Sequence, residues 1–184
     1  MKGIDKIAKV VTKIVEICHW VATGLMAAAT LCAAFAPKFI GYFVSFDAKE
    51  CCGAELSVYG FELTAKLVDG EVDKGAFIIF GIGATLILAL MAMIFRNLNI
   101  FIKRSVGTTP FQKDNVRLLR EIGIFSIAAP IVGFIMSTVA RIALGAGVEA
   151  SNSLSGFIIG IVVLCITEFF AEGIKLEEDV DGLV

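Results

Sequence analysis

Charge is what this chain has least of. Asp, Glu, Lys and Arg make up 18% of its 184 residues, against about 25% in soluble domains. Hydrophobic residues reach 58%, and mean hydropathy is +0.88. They stand in long runs, and a soluble fold of this size cannot hide such runs on every side. An ordinary soluble domain is thereby excluded. Chemistry-bearing motifs are missing as well. There is no Gly-rich phosphate loop, zinc-ligand spacing or nucleophile elbow. We therefore expect no enzyme, no cofactor and no metal. The five cysteines, Cys18, Cys32, Cys51, Cys52 and Cys165, are odd in number and define no disulfide framework. The Cys-x-x-Cys spacing of a catalytic dithiol is absent. A net charge of −2 leaves no basic excess for direct nucleic-acid binding.

What is present is four apolar stretches, 17–36, 75–95, 122–144 and 154–170. A helix crossing the hydrocarbon core needs about 20 such residues. The expected fold is an all-α membrane protein, a single transmembrane domain over 1–184 built as a four-helix transmembrane bundle. Basic residues mark cytoplasmic ends. Lys2, Lys6, Lys9 and Lys13 precede the first stretch; Arg96, Lys103, Arg104, Lys113, Arg117 and Arg120 lie in or near the connector 96–121. The loop 37–74 is rich in Asp and Glu, and the loop before 154 carries Glu149 and no basic residue. This places both termini in the cytoplasm of a cell with the chain in its plasma membrane, the first helix uncleaved.

Several local features refine this map. Segment 1–15 reads as an amphipathic helix at the inner interface: Ile4, Ile7, Ala8, Val11, Ile14 and Val15 recur at helical spacing opposite the lysines. Trp20 suits the interfacial aromatic belt. Loop 37–74 is too long for a bare connection. Its alternation at Leu56/Val58 and Phe61/Leu63, with a turn at Asp69-Gly70, predicts a small β-hairpin or meander between helices 1 and 2, on the outer mouth of the bundle. Thr109-Pro110-Phe111-Gln112 fits a capping box with Gln112 at the third helical position, opening a helix that runs into the third span. Pro130 predicts a kink there.

The chemically interesting side chains each have two readings. Glu16 and His19 lie one turn apart, as a proton relay or half a metal site would; alternatively Glu16 pairs with Lys13 at the interface. Glu16, Arg96, Arg120, Glu168 and Glu172 fall at similar depth and form a candidate inner charge network, which either locks the helices or couples them to cytoplasmic segments. Arg141 snorkels outward or takes a partner from Glu149 or the first loop. Cys18, Cys32 and Cys165 read as small packing residues. Cys51 and Cys52 are the candidate redox pair, open to oxidation outside the cell and to a bridge between chains. Gly156-Phe157-Ile158-Ile159-Gly160 allows close helix contact within the bundle or in a homo-oligomer.

The run Thr109-Pro110-Phe111-Gln112-Lys113-Asp114-Asn115-Val116-Arg117-Leu118-Leu119-Arg120-Glu121 and the tail from Glu168 to Val184 together resemble a family of small bacterial four-helix membrane proteins known as a domain of unknown function. That family shows a Thr-Pro-Phe start before a basic helix and an acidic, leucine-bearing tail; Gly182 departs from the tail's spacing. The resemblance implies a neighbouring small helix-turn-helix regulator as partner. Lys113, Arg117 and Arg120, with Glu177, Glu178 and Asp179 of the acidic tail 171–184, are then the candidate docking residues. The tail reads equally as a solvated terminus. The leading expectation is a membrane-embedded sensor or regulator. The alternative is a small transporter or lipophilic-ligand-binding protein, although no inverted repeat relates the halves. A thiol oxidoreductase using Cys51 and Cys52 stands third.

Overall fold

The structure, a computed structural model, describes residues 2–35, 54–65, 67–68, 71–105, 112–145 and 148–181. Four helices carry the chain: α1 (Lys2–Phe35), α2 (Lys74–Ser105), α3 (Lys113–Leu144) and α4 (Ser155–Asp181). The strands are β1 (Ala54–Val58), β2 (Phe61–Ala65), β3 (Leu67–Val68), β4 (Glu71–Val72) and β5 (Val148–Asn152). Each helix contains a segment long and apolar enough to cross a membrane. By length and composition this is a multi-pass membrane protein. Cys51, Cys52, the Asp69-Gly70 turn and Thr109 to Phe111 lie outside the described residues.

The helices outrun the apolar stretches that predict them. α2 continues past residue 95 to Ser105, and α4 past residue 170 to Asp181, so most of the expected acidic tail is helical. Hydropathy marks where lipid-compatible sequence ends, whereas a helix ends where its hydrogen-bond ladder does. At the start of α3 the order is corrected. The Gln112 carbonyl accepts from the Asn115 and Val116 amides at 2.9 and 3.2 Å. Gln112 therefore occupies the capping position and Lys113 opens the helix, so Gln112 is not its third residue. Asp114 then supplies the acid of the first turn. The helix continues through Pro130.

Contacts divide the chain into two compact units. One comprises Trp20–Ala89 and Ala129–Leu154. Its sheet has the order β1-β2-β5, antiparallel throughout. The expected hairpin is present, but its third strand comes from the connection before α4, read above as a plain loop. The β1–β2 turn is Tyr59-Gly60, with φ of +46° and +81°. Two positive φ values between the paired Val58 and Phe61 make a type I′ connection. A Cβ on Gly60 would stand 2.6 Å from Ser153 Cβ, so glycine is required twice over there. Separately, β3 and β4 pair Val68 with Glu71.

Register sorts the two faces of the sheet. Leu56, Leu63 and Ala150 stand opposite one another, as do Val58, Phe61 and Asn152. These face the core, where Phe61 and Leu63 are fully buried with Ala76, Phe77, Phe80, Ala84 and Ala140. Phe61 stacks on Phe80 with centroids 5.4 Å apart. A Cβ on Gly83 would meet the Phe61 ring at 2.8 Å and Met136 Cγ at 3.0 Å. The sheet is thus wedged into the core of its unit, not merely laid on a mouth. The other face carries Glu55, Glu62 and Glu149, all exposed. Three side chains of this unit tie α3 and β5 together. Arg141 donates to the Ala150 carbonyl, Ser137 Oγ to the Ser151 carbonyl at 3.2 Å, and Asn152 Nδ2 to the Pro130 carbonyl at 2.8 Å. Arg141 therefore meets a backbone carbonyl of β5, and no ion pair with Glu149 occurs among the described residues. Lys74 Nζ donates to the Ala34 carbonyl at 2.9 Å, closing the last turn of α1. Asp73 caps α2 by accepting the Ala76 amide at 2.9 Å.

Candidate functional site

The other unit comprises Met1–His19, Leu90–Ala128 and Ser155–Val184. It holds the polar side chains flagged by the sequence. Here α1 is amphipathic in the inverted sense. Thr12 and Glu16 are buried, whereas Ile7, Val11 and Ile14 are each more than half exposed. Water would reverse that arrangement; a lipid surround rewards it, because apolar side chains lose nothing by facing hydrocarbon.

Glu16 is held from two sides. Lys13 Nζ lies 3.0 Å from its Oε1, and Asn99 Nδ2 donates to its Oε2 at 3.0 Å. Asn99 is 2% exposed. The pairing with Lys13 is the interfacial reading of Glu16. His19 Nδ1 lies 2.7 Å from the Val15 carbonyl, which can only accept, so Nδ1 carries the proton. The ring packs on Phe95 at 5.1 Å. Among the described residues no group of three or more metal-ligating side chains occurs.

The inner charges fall into separate sets. Arg120 reaches Glu168 at 3.2 Å, linking α3 to α4. Glu172 instead pairs with Lys175 on its own helix at 3.3 Å. Arg96 joins neither pair and forms no direct ion pair among the described residues, although Glu16 feels its charge. Arg96 lines a cavity of about 320 Å³ at the ends of α2 and α3. Two further arginines reach that cavity, each already engaged: Arg104 with Asp114 at 3.1 Å and Arg117 with Glu121 at 3.2 Å. Buried Asn97 donates to Glu121 at 2.9 Å. Met93, Ile100 and Leu118 form the apolar wall. Sequence reading named Arg96 and Arg117 but assigned them to different tasks, and it missed Asn97 and Asn99. Asparagines within a hydrophobic helix are the signal that was available.

A second, shallower depression of about 360 Å³ is lined by Lys113, Val116, Ala171, Ile174 and Lys175. It brings the first turn of α3 beside α4. Of the candidate docking residues, Lys113 lines it; Arg117 and Arg120 are exposed on the following turns. Glu177, Glu178 and Asp179 belong to α4, and their side chains lie outside the described set. Cys18, Cys32 and Cys165 are exposed free thiols, so they are outward-facing and not packing residues. Within apolar helices their small surface suits hydrocarbon as well as it suits a core.

Gly160 does not wait for a second chain. It packs on Gly123 of α3: a Cβ on Gly160 would stand 2.9 Å from the Gly123 carbonyl oxygen. Phe101 of α2 meets Phe170 of α4 edge-on at 6.4 Å. No family model matches the chain, and no curated protein or solved structure was found similar to it.

Proposed function

We propose that this chain is a plasma-membrane sensor or regulator, with both termini in the cytoplasm and its three-stranded sheet outside. Its cytoplasmic helix ends would dock a small helix-turn-helix regulator. The observation that carries the reading is the depression beside Lys113, Val116, Ile174 and Lys175. It joins basic and apolar surface on helix ends that outrun their apolar segments, and such mixed surface suits a protein partner. The basic side chains of Lys113, Arg117 and Arg120 supply charge steering for an acidic patch on that partner. The resemblance to small bacterial four-helix proteins supports the choice of partner class.

Photocrosslinkers at Val116 and Lys175, in cells carrying the gene neighbourhood, test this. Capture of a helix-turn-helix protein from the cytoplasm is the expected result. Capture of nothing at either position, with the chain intact in the membrane, rejects it.

One observation favours a second reading, a small transporter or lipophile-binding protein: the buried Glu16 held by Asn99 within the first apolar helix. Ionisable groups at such depth often mark ion or substrate paths. Unchanged flux of candidate substrates in Glu16→Gln vesicles removes it.

A further inference from the structure

The cavity at the ends of α2 and α3 has a charge pattern that no helix-locking role explains. Its rim carries three arginines, Arg96, Arg104 and Arg117, against two carboxylates, Asp114 and Glu121. The carboxylates are taken by Arg104 and Arg117. Neither pairs with Arg96, which stands on the exposed rim; the carboxylate that feels its charge is Glu16, which does not line the cavity and is itself bonded to Lys13 and Asn99. Removing an ion pair's partner in a purely structural network leaves a liability; here the surplus charge faces open volume. The Met93, Ile100 and Leu118 side chains give that volume an apolar wall. At about 320 Å³ it lies at the small end of the range for ligand sites, roughly 300–1,000 Å³.

We propose that this cavity binds the phosphate of an anionic amphiphile, a phospholipid headgroup, with Arg96 as its principal cation and the apolar wall against the first carbons of the chain. A phosphodiester carries a single negative charge, and the cavity lining holds one more guanidinium than carboxylates. A guanidinium presents parallel donors matched to two phosphate oxygens. Arg104 and Arg117 sit on the same rim and can add a donor each without leaving their carboxylates, since one guanidinium has five N–H groups. The placement fits also. Arg96 ends the apolar run of α2, and basic pockets between helices at a membrane surface are where anionic headgroups lodge. This inference rests on the chain being a membrane protein and is independent of regulator docking.

The test uses the full chain in detergent micelles, titrated with dioleoylphosphatidylglycerol and, separately, dioleoylphosphatidylcholine, with bound lipid counted by native mass spectrometry. The expected result is one phosphatidylglycerol per chain, bound about tenfold more tightly than phosphatidylcholine. Arg96→Gln lowers that affinity about tenfold, and Arg96→Lys, which keeps the charge but not the fork, lowers it less. Lys103→Gln removes an equal charge from the same helix outside the cavity and changes affinity by less than about twofold. Equal losses in Arg96→Gln and Lys103→Gln overturn the proposal, because they report general surface attraction. Equal binding of the two lipids by the unsubstituted chain overturns it without reliance on any variant. Displacement of the lipid by millimolar inorganic phosphate, with the same dependence on Arg96, overturns the lipid and assigns the cavity to free phosphate.

Discussion

Gly160 of α4 and Gly123 of α3 share one contact, and neither has room for a methyl group. The would-be Cβ of Gly160 lies 2.9 Å from the Gly123 carbonyl oxygen, and that of Gly123 lies 3.2 Å from the carbonyl oxygen of Gly160. The Ile127 side chain lies nearer still to the would-be Cβ of Gly160, at 2.5 Å, but the Gly123 carbonyl oxygen and the Ile127 amide nitrogen, at 2.9 and 3.0 Å, are backbone and cannot rotate away. Replacing Gly160 with Ala is expected to cost about 1–3 kcal/mol of stability by overpacking. Gly24, with nothing within 4 Å of its would-be Cβ, is the control; Gly24→Ala is expected to be neutral or stabilising by up to about 1 kcal/mol. Thermal unfolding of both variants in detergent separates them. Equal melting temperatures would show that α3 and α4 do not approach as closely as described.

The Glu16–Asn99 hydrogen bond is buried on both sides. Asn99→Ala leaves a carboxylate oxygen without its donor, at a cost of about 1–3 kcal/mol. Glu16→Ala and Asn99→Ala, made singly and together, close a thermodynamic cycle in which each change removes the bond. A coupling of at least about 0.5 kcal/mol is expected for groups in direct contact. Strictly additive effects would remove the bond as a link between α1 and α2.

Phe61 is one of two side chains of the sheet that are fully buried, and it lies against Phe80 and Gly83. Phe61→Ala is expected to destabilise by about 3–5 kcal/mol, the range for a buried aromatic. Leu63→Ala, also fully buried, should fall at about 2–5 kcal/mol. In the turn above them, Tyr59 holds a φ of +46°, a conformation asparagine adopts more readily. Tyr59→Asn should therefore leave the fold intact and raise its melting temperature slightly. A fall would mean that the Tyr59 ring contributes more than its backbone strain removes.

Arg120 and Glu168 form an ion pair whose side chains are both more than half exposed. Glu168→Gln is expected to change stability by less than about 1 kcal/mol. A much larger loss would show that the pair is enclosed when the chain is in its membrane. It would also restore the single charge network expected from depth alone.

Much of this architecture was readable beforehand, for identifiable reasons. Runs without charge must avoid water, so the four spans announced themselves. The alternation at Leu56/Val58 and Phe61/Leu63 announced a hairpin because side chains of a strand point to opposite faces. β5 was not legible. Its five residues, Val148 to Asn152, carry little apolar bulk, and only Val148 and Ala150 mark the inward face. The pairing of Val68 with Glu71 flanks the expected Asp69-Gly70 turn, but a second turn, Tyr59-Gly60, was not legible: it joins β1 to β2, and Gly60 fits there against Ser153. The inner charges were chosen by depth, which says nothing about azimuth around a helix. Thus Glu172 turned to Lys175, and Arg96 turned to a cavity.

Composition and order alone determined that the chain enters lipid, because transfer of an apolar run depends on its own residues and on the solvent. They did not determine which polar groups meet. The contacts of Asn99 with Glu16, of Asn97 with Glu121 and of Asn152 with the Pro130 carbonyl join residues distant in the chain. Each exists only once two elements, helix on helix or β5 on α3, have packed in a particular orientation. Hydrogen bonds are short and directional, and a turn of one helix by a single residue would break them, while burial of apolar surface would hardly notice.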